Sequence, residues 1–408
     1  MKKKSMFTSI LPSFTKSKKN ISQKSYYNDV FGNDYSQTFV FETGRPIWSA
    51  RNYSKFSEEA YTKNVIAYRC ISMIAASVAS INWCLHKHDD VENLQIKNHP
   101  LLRLLDKPSP LTAGNLFFES LASYKLIGGN CYILAVGENE PKELYALRPD
   151  RVSIITDDKG ITTAYQYKVG QNIVNYPVDR LTGKSKILHI KNFHPTNDHY
   201  GLSAVEAAAF SIDQHNNSSM WNQALLQNGA KPSGALIVKG GKDASGYLND
   251  EQFLRLKKQI EDQYSGAANA GRPLLLEGGL EWKEMSMSPK DMDFIEAKHS
   301  AARDIALAFG VPPQLLGIPG DNTYGNLVEA RLAMWEQTIL PMVDDFVSHL
   351  NNWLVPMFRG SKDLKISYDA DKISALASKR EKLWSNLQNA DFLTVNEKRK
   401  MLGLGAIE

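Results

Sequence analysis

The sequence predicts an α+β protein, on three features. Apolar residues recur every three or four positions across 65–78, short apolar runs separated by turn residues fill 131–191, and a second long helical period occupies 327–354. The 408 residues suit two or three domains, and the hydrophobic (43%) and charged (23%) fractions are those of a globular chain. A wholly disordered chain, a collagen-like fibre and a coiled-coil rod are thereby excluded. The longest apolar-or-small run, 71–81, falls well short of the ~20 residues that a membrane-spanning helix requires.

Seven lysines (Lys2, Lys3, Lys4, Lys16, Lys18, Lys19 and Lys24) precede the first acid, Asp29, although the net charge is only +4. Thr8, Ser9, Pro12 and Ser13 break the apolar stretch that a secretion signal would need. Residues 1–48 show no sustained period and too little apolar surface to offset their ordering entropy, so they are expected to form a mobile basic arm. Val65, Ile66, Arg69, Cys70, Met73, Ile74 and Val78 then place one largely apolar face on a helix. A short strand at 83–87 follows. A second helix starts at Thr112 or Asn115 and runs to Leu126, stopped by Gly128 and Gly129. Strands are expected at 131–136, 144–147, 152–156, 163–169 and 187–191.

Ser203 and Glu206 form an S-x-x-E capping box for a helix reaching about residue 228, ended by Gly229 and Pro232. Its middle, DQHNNSS at 213–219, is polar on every face, which requires water or hydrogen-bonding neighbours. A wall packed against copies of itself around a wet channel meets that need, and an exposed bridging helix in a monomer meets it equally. Residues 234–285 read as a small β-α-β insertion, with strands at 235–239, 273–276 and 282–285 around a helix at 250–264. A helix at 294–309 ends at Gly310, and Pro312-Pro313 bars its continuation. After a loop containing Gly317, Pro319, Gly320 and Gly325 comes the longest helix, 327–354, roughly 40 Å long. Val328, Leu332, Trp335, Ile339, Met342, Phe346 and Trp353 are its expected stripe, His349 fills a polar slot, and Pro341 should kink it. Helices at 374–388 and 396–402 complete the chain.

Catalytic and metal signals are searched for without success. Gly183-Lys184-Ser185 ends like a phosphate loop, but Val178 stands where the first glycine belongs; Gly241-Lys242 fails at Leu236 and Asp243. His189, His194 and His199 lie five apart, a spacing of neither a helical pair nor a finger, and are read as loop residues. Asp344 and Asp345 point about 100° apart on a helix and are read as solvated. Cys70, Cys84 and Cys131 form no C-x-x-C pair and read as reduced thiols. Nothing assembles a nucleophile, a base and an oxyanion site, so the expectation is a non-enzyme without cofactor or metal.

The order of parts resembles that of tailed-bacteriophage portal proteins, in particular the HK97-like portal family. The motifs are Tyr200-Gly201-Leu202-Ser203, Lys231-Pro232-Ser233-Gly234, the stretch from Ala308 to Gly317 (AFGVPPQLLG), Thr323-Tyr324-Gly325-Asn326, and Leu393-Thr394-Val395-Asn396-Glu397-Lys398-Arg399. The resemblance covers about 55–405. It implies an α+β wing beginning at 49–201, a stem helix at 202–231, a clip at 232–288, a second stem helix at 289–310, a tunnel-loop region at 311–326, a long kinked wing helix at 327–358 and a short helical crown at 359–408.

The same resemblance implies a ring, usually of twelve subunits, at one capsid vertex of the virion, assembled in the bacterial cytoplasm. Double-stranded DNA would pass through it without sequence specificity during packaging and ejection. Implied partners are the large terminase, the head-tail adaptor and the major capsid protein, with no membrane. Gly317, Gly320, Asp321, Asn322, Thr323, Tyr324, Gly325 and Asn326 are the implied tunnel loop, which holds no Lys or Arg and would brush DNA without gripping phosphates. Asp213, Gln214, Asn216 and Asn217 are the implied stem contacts between subunits. A peripheral membrane or scaffold protein acting through its basic arm is the competing reading, and it leaves the kinked helix and the insertion unexplained.

Overall fold

In a computed structural model of the chain, the described residues are 52–88, 93–138, 140–227, 234–238, 251, 253–258, 280–284, 294–319, 324–361, 363–390 and 392–401. The chain divides into two units, 1–47 and 48–408, and the described residues all lie in the second. The expected arm therefore falls outside them, as do most of the 250–264 helix and the strand segment 273–276.

Helix α1 (Tyr53–Phe56) leads through a π-helical turn to Asn64, whose Oδ1 accepts from the N–H groups of Ile66 (3.1 Å) and Ala67 (3.0 Å) and so caps α2 (Val65–Ala79). Ala67, Cys70, Ile71, Ile74, Ala75 and Val78 form the buried face of α2, while Val65 and Arg69 are exposed. Next come β1 (Trp83–His88), β2 (Asn93–Ile96), α3 (Pro100–Asp106) and α4 (Gly114–Gly128). Gly129 ends α4 in the left-handed region, as the sequence anticipates. The strands β3 (Asn130–Val136), β4 (Glu143–Leu147), β5 (Val152–Thr156), β6 (Thr162–Val169), β7 (Asn172–Pro177) and β8 (Ile187–Lys191) follow. Then come α5 (Ala204–Ala207), α6 (Ala209–Gln227), β9 (Gly234–Val238), β10 (Leu280–Glu284), α7 (Phe294–Ala308), α8 (Tyr324–Met334), α9 (Leu340–Trp353), β11 (Leu364–Tyr368), α10 (Ala377–Gln388) and α11 (Val395–Met401).

The strands form antiparallel sheets in the orders β11-β1-β2, β4-β3-β8, β5-β6-β7 and β10-β9. Strand β3 is buried on both faces and divides the body into two cores. Cys131, Ile133 and Ala135 face the large core with α2, α4 and α9, whereas Tyr132 and Leu134 face a smaller one with Leu147, Val152 and Ile187. Burial pushes the Cys70 and Cys131 thiols up to about 12, consistent with inert core side chains.

The insertion's strands β9 and β10, near the expected 235–239 and 282–285, pair antiparallel with each other. Several expectations require correction. The 359–408 segment, expected as all helical, contributes β11, which pairs with β1 some 280 residues away and buries Ile366 in the main core. Elements β2, α3 and β7 escape the periodicity because the first two are short and β7 is largely exposed, so no buried face imposes a pattern. The long 203–228 helix is broken at Ala208 into α5 and α6. Ser203 Oγ accepts from the Glu206 N–H (2.8 Å) as expected, and Thr394 and Glu397 cap α11 reciprocally.

The long helix deviates most. Helices α8 and α9 are joined by a π-helical segment, Trp335–Ile339, immediately before Pro341. The buried stripe is Ala330, Met334, Ile339, Val343, Phe346, Leu350 and Trp353, whereas Val328 is 44% exposed. The step from Met334 to Ile339 is five, the i→i+5 repeat of a π turn. The extra residue keeps both halves facing one core and coincides with the backbone donor that Pro341 lacks.

Asp345 was read as solvated, and it is not. Its carboxylate accepts from the Lys125 ammonium of α4, whose side chain is only 7% exposed and lies 5.6 Å over the Phe346 ring. His349 approaches the other oxygen at 3.4 Å. Burial raises the Asp345 carboxyl, but hydrogen bonds from His349 and Lys125 outweigh it and hold the group below the ordinary carboxylate range. A carboxyl depressed in the folded state contributes stability above its unfolded pKa and loses it as pH falls through the folded value. We therefore expect the stability difference between the native chain and Asp345→Asn, measured by urea unfolding, to be full above about pH 4 and to shrink below it. At neutral pH the substitution should cost about 2–3 kcal/mol, less than the roughly 3–5 kcal/mol of a fully buried pair because the Asp345 side chain keeps 35% exposure.

The end of α7 gives a second test. Val311 N–H donates to Ala306 O (2.9 Å) and Gly310 N–H to Leu307 O (3.0 Å), a Schellman motif with Gly310 at φ 66°. A Cβ on Gly310 would lie 2.6 Å from Thr338 Oγ1, which itself donates to Gly310 O (2.7 Å). Gly317 has a similar φ of 70° but nothing within 4 Å. Gly317→Ala should thus cost about 1–2 kcal/mol of left-handed strain, and Gly310→Ala measurably more. Equal losses in thermal unfolding would mean that Thr338 yields without cost.

Candidate functional site

The polar helix α6 solves its hydrogen bonding largely within the chain. Asn64, the cap of α2, donates through Nδ2 to Asn216 Oδ1 (2.9 Å) and lies 3.2 Å from His215 Nδ1. Asn216 Nδ2 donates to the Glu59 carbonyl (3.0 Å), while Ser218 and Ser219 donate to carbonyls one turn back. Burial, then the charge of Lys298, lowers the His215 pKa, so the neutral imidazole is favoured. Of the four expected stem-contact residues, Asp213 is buried and Asn216 half-buried against this neighbour; Gln214 and Asn217 are exposed. Periodicity alone did not separate these pairs, because all four side chains are polar.

The Y-G-L-S motif is a junction. Tyr200 Oη accepts from the Ile154 N–H (3.1 Å), Gly201 N–H donates to Asn130 Oδ1 (2.8 Å), and Leu202 O accepts from Asn192 Nδ2 (3.0 Å). A Cβ on Gly201 would lie 2.3 Å from Gly129 O, so the two backbones meet only without a side chain. His189 lies in β8, within the strand expected at 187–191, although its spacing groups it with the loop histidines, and it stacks on Tyr132 with ring centroids 4.4 Å apart. Burial, followed by the charges of Lys191 and His349, pushes its pKa down to about 3, and its Nε2 meets Asn130 Oδ1 at 3.0 Å. His194 and His199 lie in the following loop. Among the described residues no group of three or more His, Cys, Asp or Glu side chains is placed to hold a metal ion. The G-K-S fragment is consumed in a turn: Asp179 accepts from Gly183 N–H (2.8 Å) and from Thr182 Oγ1 (2.6 Å).

The expected tunnel loop has a firmly built base. Phe309 and Val311 are buried, a 3-10 turn spans Pro313–Leu316, and Gly317 turns the chain in the left-handed region. Ile318 is buried, and Arg303 Nη2 of α7 donates to Pro319 O (2.6 Å). Gly320, Asp321, Asn322 and Thr323 lie outside the described residues; Tyr324, Gly325 and Asn326 open α8. The loop itself carries no cation, yet the fold brings Arg303 to its foot. No local pattern could announce this contact, since the partners are 16 residues apart across a helix end.

The comparisons agree with this architecture. The family model described as "Phage portal protein" matches residues 66–403. An uncharacterised protein of Rickettsia bellii (strain RML369-C) is 48% identical over 387 residues, covering 94% of this chain and 98% of the relative. The portal protein of Enterobacteria phage HK97 is 24% identical over 367 residues, 86% of this chain and 82% of its own. Among solved structures, a chain in the neck of an empty gene transfer agent particle, computed with C6 symmetry, is 41% identical, covers 89% of this chain and 96% of that one, and superposes with a TM-score of 0.69. An HK97-family portal protein from Corynebacterium diphtheriae shares the fold at a TM-score of 0.55 and 14% identity, over 79% of this chain and 95% of that one. With its profile matched along most of its length, its two-core α+β body and its long π-interrupted helix, this chain belongs to the phage portal protein family.

Proposed function

We propose that the chain is the portal subunit of a phage or gene transfer agent particle, forming a closed ring at one capsid vertex through which double-stranded DNA is packaged and later leaves. The observation that carries this reading is the 40–41% identity, across 89% of the chain, to chains in gene transfer agent necks computed with C6 and C12 symmetry. A ring of twelve copies accords with it. The role is structural rather than enzymatic, with the large terminase, the head-tail adaptor and the major capsid protein as successive partners.

In this assignment the two-core body with β11 is the wing, α6 and α7 are the stem, β9 and β10 belong to the clip, and α10 with α11 forms the crown. Gln214 and Asn217, exposed on α6, are the stem positions available to a neighbouring subunit. Asp213 is buried, and Asn216 instead ties the stem to the body through Asn64 and Glu59. The loop between Pro319 and Tyr324 faces the channel, on a foot fixed by Ile318 and Arg303. A rigid base with a short tip that holds no Lys or Arg suits a conduit that DNA slides past.

Native mass spectrometry of the purified chain should record a closed oligomer of about twelve copies. A strict monomer across a range of salt would overturn the ring. Replacing Asp321 and Asn322 with Lys should leave rings intact and slow DNA passage at low salt, with partial recovery as salt rises. Packaging indifferent to both the substitutions and the salt would remove the loop from the channel.

A further inference from the structure

A cleft of about 1160 Å³ lies where four separate segments meet: α3, the turn between β3 and β4, the residue before β8, and the chain leaving α9. Five cations line it, Arg103, Lys107, Lys142, Lys186 and Arg359, against two carboxylates, Glu138 and Glu140. All five are exposed, and among the described residues no carboxylate comes within ion-pair distance of any of them. Elsewhere Lys125, Arg148, Arg180, Lys379 and Arg380 each have an acidic partner, and exposed cations without one, such as Lys159 and Lys168, do not line this concavity. Five like charges gathered unpaired around one concavity repel one another, and low-dielectric walls focus their field outward. An anionic ligand relieves that repulsion.

The walls are fixed before any ligand arrives. Glu140 Oε1 accepts from the Arg359 N–H (3.0 Å), joining the β3–β4 turn to the segment after α9. Lys142 N–H donates to Val136 O (2.9 Å), and Leu144 N–H to Pro108 O (2.7 Å). A Cβ on Gly137 would lie 2.1 Å from Glu140 O, so the turn is as tight as backbone allows. The His99 and Phe358 rings pack edge to face with centroids 5.8 Å apart.

We propose that this cleft binds an acidic peptide segment of a partner protein. Three observations favour a peptide over nucleic acid. Leu104, Val136 and Phe358 supply apolar lining, which a phosphate backbone has nothing to match but a peptide's side chains do. Glu138 and Glu140 repel any anion, but a peptide backbone also brings N–H groups for them to accept from, which a phosphate backbone lacks. The cleft also lies beyond the C-terminal end of a helix of about 30 residues, roughly 40 Å from the loop at its start. Only this last argument rests on the channel assignment above. The occupant is thus a partner met at the outer end of the long helix, away from the DNA path.

The test uses the full chain and a fluorescein-labelled peptide of about twelve residues repeating Glu-Leu-Glu-Ser, read by anisotropy in about 50 mM salt. The peptide should bind, and its Gln-for-Glu counterpart should not. Combined Arg103→Gln, Lys142→Gln and Arg359→Gln should weaken binding about tenfold or more, while Lys159→Gln, exposed on the β5–β6 turn, leaves it unchanged. A DNA duplex of about 20 base pairs should not compete. Failure of the native chain to bind the peptide, equal binding of the Gln peptide, or indifference to the triple substitution overturns the proposal. Competition by the duplex, lost in the triple variant, overturns it in favour of a nucleic-acid surface. Mass photometry of the same samples reads ring formation separately, so a failed portal assignment is distinguishable from a failed cleft.

Discussion

A helix of about 30 residues crosses the body and must keep one apolar stripe on one core, although a proline stands inside it. An α-helix that simply kinked at Pro341 would swing either Ala330 and Met334 or Phe346 and Leu350 away from their partners. The π-helical turn at Trp335–Ile339 adds one residue to the stripe's spacing and restores the phase. Other features follow from that alignment. The C-terminal half lies over α4, where Asp345 meets Lys125, and Trp353 at its end donates to the Ser185 carbonyl before β8 (2.8 Å). The N-terminal half begins where the loop after Pro319 returns. The helix thus fixes the separation between the loop at one end and the basic cleft at the other.

Polar groups inside the body are tied where elements from distant parts of the chain meet. Asn64 opens one helix and reaches another some 150 residues later, donating to Asn216 and meeting His215 in that helix's polar middle. Asn130 serves Gly201 and His189 with one oxygen and the Gly128 carbonyl with its amide (2.6 Å). Each node replaces water that burial has removed, and leaving one partner unmade would incur the full desolvation penalty. These nodes hold α6 at its body end, a fitting root for the helix proposed as a stem.

The tunnel-loop assignment and the cleft assign opposite electrostatics to the two ends of the long helix. At the loop, Arg303 is occupied by a backbone carbonyl and the tip carries no cation, so a duplex passing the proposed tunnel would meet little attraction. At the cleft, five cations stand on a rigid frame without an acidic partner among the described residues. A conduit gains from weak, uniform contact with its cargo, whereas a docking surface gains from strong local complementarity.

Much of this was legible in the sequence because it is written in local rules. Periodicity located α2, α4, α7 and most β3–β8 strands; Gly129 and Gly310 marked helix ends because left-handed backbone disfavours a Cβ; Ser203 opened a helix because its oxygen accepts an orphan amide. The motif order carried the family. Other features rested on partners remote in sequence. Asp345 is like any surface acid until α4 brings Lys125 beside it, and Asp213 and Gln214 are equally polar until α6 turns one inward. Strand β11 pairs only because β1 waits for it. Local sequence thus determined which elements form and where they stop, since those choices depend on backbone sterics within a few residues. The tertiary structure decided which charges are paired and which stand open, since that depends on burial and on neighbours hundreds of residues away.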